Sequence, residues 1–188
     1  MITAYIDFKS LDCFLAIGSI LELADDCETP VSWQPYRSKE CALPTQVANE
    51  SVTQTHHRVR AASERRLQLH YARLRGLDID HCRGQIDTSA ALGWLASLEG
   101  DTSSFVSRLF TAHWIDRTDI NDPTFLQELT SQYGLRRTGD AVDLRSIERK
   151  AEEKGLFDAP TFFIEGQMFT GRAHIPLMRQ LLADGDDR

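Results

Sequence analysis

The chain has 188 residues, 41% of them hydrophobic, and a formal net charge of −7. That length can bury a full core and suits one domain or a domain carrying an insertion, while the negative balance argues against general nucleic-acid binding, which needs a basic face. No apolar run approaches the roughly 18 residues of a membrane span, and no basic-then-apolar leader precedes the first strand, so a cytoplasmic protein with no membrane partner is expected.

Ile2-Thr-Ala-Tyr-Ile-Asp-Phe-Lys-Ser-Leu-Asp-Cys13 reads as a β-strand running directly into a helix. Ile2, Tyr5, Ile6 and Phe8 are strand formers. From Leu11 the apolar spacing turns helical through Phe14, Leu15, Ile17 and Leu21, which predicts a buried helix to about Asp25. Ser10 stands at the N-cap. A hydroxyl and the Cys13 thiol at the positive end of a helix form an anion-friendly spot that is also able to lower a thiol pKa. The plainer readings are Ser10 as a cap alone, which the ligand reading outweighs, and Cys13 as an inert buried thiol, which is the default for it.

Thr29-Pro30 ends the first helix, and Val31 to Tyr36 reads as a second strand, completing a βαβ unit with a parallel pair. Residues 37–49 show no period and contain Pro44, which predicts a loop beyond a strand's C-terminal end, where α/β folds place ligands. A long helix follows from about Ser51 to Arg75, closed by Gly76. Its His56-His57-Arg58-Val59-Arg60 run is read as a solvated basic face, because adjacent helical histidines diverge by about 100° and do not share one ion.

Further helices are predicted from Asp87 to Leu98, from Thr102 to His113, from Asp122-Pro123 to Gly134 and from Asp143 to Lys154. Then come a strand, Thr161 to Ile164, a turn at Glu165-Gly166, a strand from Gln167 to Phe169, and a last helix past Arg172 with Pro176 in its first turn. Ala159-Pro160 is a candidate cis peptide. Trp33, Trp94 and Trp114 are read as core. Cys13, Cys27, Cys41 and Cys82 form no CxxC pair or zinc spacing and are read as free thiols, with no metal site. Arg37, Lys39 and Arg172 are the cations considered for an anionic substrate, though surface solvation is the default for each.

The order β-α-β, helices, β-β-α, with Asp7-Phe8-Lys9-Ser10 at one end and Ala159-Pro160-Thr161-Phe162-Phe163-Ile164-Glu165-Gly166-Gln167-Met168-Phe169 at the other, resembles the DsbA-like thioredoxin-fold superfamily. Within it the chain looks like the branch of 2-hydroxychromene-2-carboxylate isomerases and kappa-class glutathione transferases. The resemblance implies an α/β thioredoxin fold from residues 1–36 and 156–188, with 37–155 as loop and helical insertion. It implies glutathione as cofactor: Ser10 matches the serine that hydrogen-bonds the glutathione thiolate, Pro160 the cis-proline facing it, and Ala159 the backbone that pairs with the cysteinyl part. Arg172 stands at the start of the last helix, where the family holds the γ-glutamyl group.

The sequence departs from that pattern at Leu11, where Pro is usual, and at Gly171-Arg172-Ala173-His174, where Gly-Ser-Asp-Arg is common, so the acidic residue is missing at Ala173. Cys13 occupies the second-thiol position of CxxC without a first thiol, which disfavours DsbA-type oxidation. The reading that follows is an isomerase or transferase acting on an aromatic 2-oxo acid, with homodimers expected by analogy. The alternatives are a peptide-binding module without redox activity and a single-thiol oxidoreductase using Cys13.

Overall fold

The computed structural model describes residues 1–38, 48–79, 81–139 and 142–185. Lys39, Cys41 and most of the predicted 37–49 loop fall outside these residues, as does the Cys82 side chain. Strand β1 (Ile2–Ile6) is buried nearly throughout, because it is paired on both edges. It lies parallel to β2 (Val31–Pro35) and antiparallel to β5 (Thr161–Ile164), and β5 pairs with β6 (Gln167–Thr170), giving the order β2-β1-β5-β6. The two-residue hairpin turn has Glu165 and Gly166 both at positive φ, the geometry that matches strand twist.

Helix α1 (Leu11–Asp26) joins β1 to β2 and buries Leu11, Cys13, Leu15, Ala16, Ile17, Ile20 and Leu23. Not all of it is buried as predicted, since Asp12, Gly18 and Ser19 keep some exposure. The long helix α2 (Val52–Leu74) carries a Ser51–Gln54 capping box and has one buried residue, Ala72, among the described residues. A 3-10 turn (His81–Gln85) leads to α3 (Ser89–Ala96), α4 (Ser103–Trp114), α5 (Pro123–Gln132) and α6 (Leu144–Glu152). The two-residue strands β3 (Leu98–Glu99) and β4 (Arg136–Arg137) pair with each other and were not expected, being too short to show a period. A second 3-10 turn (Arg172–His174) precedes α7 (Ile175–Gly185).

Two of the tryptophans are core, Trp33 and Trp114. Trp94 is only half-buried, under the Arg137 guanidinium at 3.7 Å. Trp114 donates from Nε1 to the Phe8 carbonyl at 2.9 Å, and Phe14 stacks between Phe110 and Trp114, so α4 braces the turn between β1 and α1.

Asp7 is fully buried and fixes that turn more firmly. Its Oδ1 accepts from the Lys9 N–H (3.2 Å) and the Thr88 hydroxyl (2.6 Å), its Oδ2 from the Ser38 N–H (2.7 Å) and hydroxyl (2.9 Å). One carboxylate thus joins the end of β1, the exit of β2 and the start of α3. Removing a buried acceptor strands its donors. Asp7→Ala is expected to lower unfolding free energy by about 3 kcal/mol in urea titrations.

His113, also fully buried, donates from Nε2 to the Arg83 carbonyl, while its Nδ1 has no hydrogen-bond partner among the described residues. Burial holds its pKa down, to about 4 from 6.5. The neutral ring therefore favours the fold fully above pH 6.5, and that contribution fades as pH falls from 6.5 towards 4, because the unfolded chain takes the proton first. The stability difference between wild type and His113→Gln is expected to shrink by up to about 3 kcal/mol between pH 7 and pH 4, measured by denaturant titration at each pH.

Candidate functional site

Ser10 has extended backbone (φ −80°, ψ 116°) and caps α1 by accepting the Cys13 N–H at 3.3 Å. With its lone pair so engaged, the hydroxyl proton is aimed outward, and it meets the Ala159 carbonyl at 3.4 Å. That is a long bond, easily exchanged for a better acceptor. The Ala159-Pro160 peptide bond is cis. The two ends of the chain therefore meet at the buried Ser10, as the motifs implied.

Around this junction the backbone is committed. The Ala159 N–H donates to Asp158 Oδ1 (2.8 Å), and the Pro160 carbonyl accepts from the Gly171 N–H (2.8 Å). Gly171 has φ 78° and ψ −178°, a conformation open essentially to glycine alone.

Cys13 lies in the same turn but points inward. It is fully buried, its sulfur accepts the Asp7 N–H at 3.5 Å, and burial above all pushes the thiol pKa well above its ordinary value. Cys13 and Cys27 are free thiols.

A groove of about 490 Å³ opens beside the junction, lined by Asp12, Tyr71, Arg75, Gly171, Arg172 and Ala173 among others. Asp12 accepts from Gln68 Nε2 (2.7 Å) at one oxygen and pairs with Arg172 Nε (3.3 Å) at the other. The Arg172 guanidinium stacks 4.6 Å from the centre of the Tyr71 ring. Arg75 is tied to the Leu15 carbonyl (2.6 Å). Arg172 is thus an ion-paired, largely buried residue of this groove rather than solvated surface. Its partner Asp12 supplies a carboxylate facing the groove where Ala173 has none.

Arg37 is engaged elsewhere. It forms a bidentate pair with Glu148 of α6, both bonds 2.6 Å, and the guanidinium holds the Glu148 carboxyl below its usual range. Lys9, half-buried and next to Ser10, has no side-chain hydrogen bond or ion pair among the described residues. Sequence reasoning missed the roles of Asp7 and Asp12. The one available signal was an acidic residue at a strand's end and another in the first turn of a helix.

Among the described residues no cluster of metal-ligating side chains occurs, and no helix is long and apolar enough to cross a membrane. No curated protein matches the sequence. The structure is similar to that of a 2-hydroxychromene-2-carboxylate isomerase, with a TM-score of 0.68 and 15% identity over 97% of this chain and 94% of the other. It is also similar to a candidate protein disulfide isomerase from Nitrosomonas europaea (TM-score 0.62, 14% identity, 97% and 95% covered). A third similar structure is the cytosolic disulfide reductase DsbM from Pseudomonas aeruginosa with GSH (TM-score 0.55, 17% identity, 100% and 99% covered). At such identities these likenesses speak for the fold. The model of the DSBA-like thioredoxin domain matches residues 1–183, and with a β2-β1-β5-β6 sheet closed by a cis-proline strand the chain belongs to that family and has its thioredoxin fold.

Proposed function

We propose that the chain is a glutathione-dependent isomerase or transferase acting on an aromatic 2-oxo acid, in the manner of the 2-hydroxychromene-2-carboxylate isomerase whose structure it resembles. The observation that carries this reading is the Ser10 hydroxyl at the start of a 16-residue helix, facing the backbone of Ala159 across a cis-proline.

The residues present fit the tripeptide. The Ser10 proton is available to a sulfur anion, and the positive end of α1 favours the ionised form. The Ala159 N–H is taken by Asp158, but its carbonyl, held only by the long Ser10 bond, becomes an acceptor for an extended ligand once that hydroxyl turns to the sulfur. In the adjoining groove, Asp12 replaces the acid missing at Ala173 as partner for the γ-glutamyl ammonium, and Arg172 is the cation at its side. Bound glutathione would supply a thiolate able to add to a conjugated double bond and leave again once that bond has turned. The protein's part is to keep the sulfur ionised and to seat the substrate carboxylate, for which Lys9, with no side-chain hydrogen bond or ion pair among the described residues, is the candidate cation beside Ser10. The DsbM structure with GSH supports the choice of ligand, and a reducing, cytoplasmic setting suits it.

The single-thiol alternative loses ground because Cys13 is enclosed and its thiolate disfavoured. No particular observation favours the peptide-binding alternative.

Ser10→Ala is expected to reduce kcat by about ten-fold or more with 2-hydroxychromene-2-carboxylate and glutathione. An unchanged kcat in the folded variant would overturn the assignment. Asp12→Asn is expected to weaken glutathione binding by about ten-fold in calorimetry, leaving the melting temperature nearly unmoved because Asp12 is partly exposed. Equal affinities would remove the groove from the binding site.

A further inference from the structure

Among the described residues, helix α6 gives no side chain to the hydrogen bonds of the Ser10 junction, yet it grips the chain where β2 ends. Glu148 Oε1 accepts from the Arg37 N–H (3.2 Å) and Nε (2.6 Å), and its Oε2 accepts from Nη2 (2.6 Å). One turn further along α6, Glu152 accepts from the Tyr36 hydroxyl at 3.5 Å. Forked bonds between charged groups are roughly twice as strong as neutral ones and fix direction as well as distance. Strand β2 itself stops at Pro35, and the Tyr36 N–H makes the last backbone bond towards β1, to the Ile6 carbonyl at 2.9 Å. Arg37 and Ser38 therefore lie past the ladder of the sheet, where side chains hold them in place.

Ser38, the next residue, is buried and donates twice to Asp7 Oδ2, from its N–H (2.7 Å) and its hydroxyl (2.9 Å). Asp7 in turn holds the site through its backbone: its carbonyl accepts the Ser10 N–H at 3.1 Å, and its N–H donates to the Cys13 sulfur at 3.5 Å. An unbroken line of bonds thus runs from Glu148 through Arg37, Ser38 and Asp7 to Ser10. We infer that Glu148 is a positioning residue for the Ser10 hydroxyl. By clamping Arg37 it sets where the Ser38 donors meet Asp7, and through Asp7 the direction in which the Ser10 proton points.

Asp7 Oδ1, served by Lys9 and Thr88, does not depend on α6, so loss of the clamp leaves that half of the carboxylate's donors in place. The Arg37 and Glu148 side chains are 36% and 15% exposed, and a pair so open to water adds little to global stability. The effect of breaking it is local: the turn opens more often while the rest of the molecule stays folded. Cys13 reports such opening directly, because it is fully buried beneath the same turn with its sulfur against the Asp7 N–H. Only the chemical role of the Ser10 hydroxyl rests on the function proposed above; the coupling of α6 to the turn is read at Cys13 without it.

Alkylation of the native full chain with iodoacetamide, with each cysteine scored by peptide mapping, is expected to modify Cys13 about ten-fold faster in Glu148→Gln than in wild type, and Cys27 at the same rate. Arg37→Gln should match it, and the double variant should be no faster than either single, because all three remove one interaction. With 2-hydroxychromene-2-carboxylate, Glu148→Gln is expected to lower kcat by about five-fold and to leave KM for glutathione within about two-fold, since the Asp12–Arg172 pair does not touch the clamp. A Cys13 rate equal to wild type, faster alkylation of Cys13 and Cys27 alike, or single-variant effects that add would overturn the inference. So would an unchanged kcat in Glu148→Gln where Ser10→Ala loses turnover. Should Ser10→Ala itself keep full turnover, the proposed reaction falls, and the Cys13 rates still decide whether α6 positions the turn.

Discussion

The Asp7 carboxylate is the interaction on which the site's geometry rests. A carboxylate removed from water costs several kcal/mol unless donors replace its hydration. Here four donors do so, from three separate parts of the chain. The short turn from β1 into α1 is consequently held from the β2 side and from the α3 side at once, while Trp114 grips it at the Phe8 carbonyl. The position of Ser10 follows from these bonds, since only two residues separate it from Asp7 and its own N–H is bound to the Asp7 carbonyl at 3.1 Å.

Within that turn two neighbouring positions receive opposite surroundings. Ser10, as cap, folds its oxygen back over the helix end and directs its proton to the chain's far terminus. Cys13, one turn on, is driven into the core. A hydroxyl outside and an enclosed thiol inside leave this turn without a pair of thiols, while the helix end and the backbone acceptor facing it stay in place. A fold so arranged is able to stabilise a sulfur anion brought by a ligand, and this is the physical basis for the glutathione reading.

The strands, the hairpin and most helix boundaries were legible in the sequence because each is a local matter of period, cap or turn residue. Asp122, Asp143 and Ser51 cap the helices expected of them. Thr88 does not cap α3 with its side chain, because its hydroxyl serves Asp7 instead, and no local rule foresees a partner 81 residues away. Asp12 escaped notice for the same reason: its partners Gln68 and Arg172 come from α2 and from the start of the last helical segment. The α2 helix was read as basic and solvated, and its service to the groove through Gln68 and Tyr71 was hidden because composition does not say which side of a helix faces the domain.

One wall of the groove is built by the long helix α2. Leu67 lines it, and Tyr71 supports the Arg172 guanidinium. Arg172 in turn pairs with Asp12, which stands two residues from Ser10 at the start of α1. The charges beside the cis-proline are therefore placed by three separate elements, and a change in the packing of α2 reaches them through Tyr71 and through the Gln68 bond to Asp12.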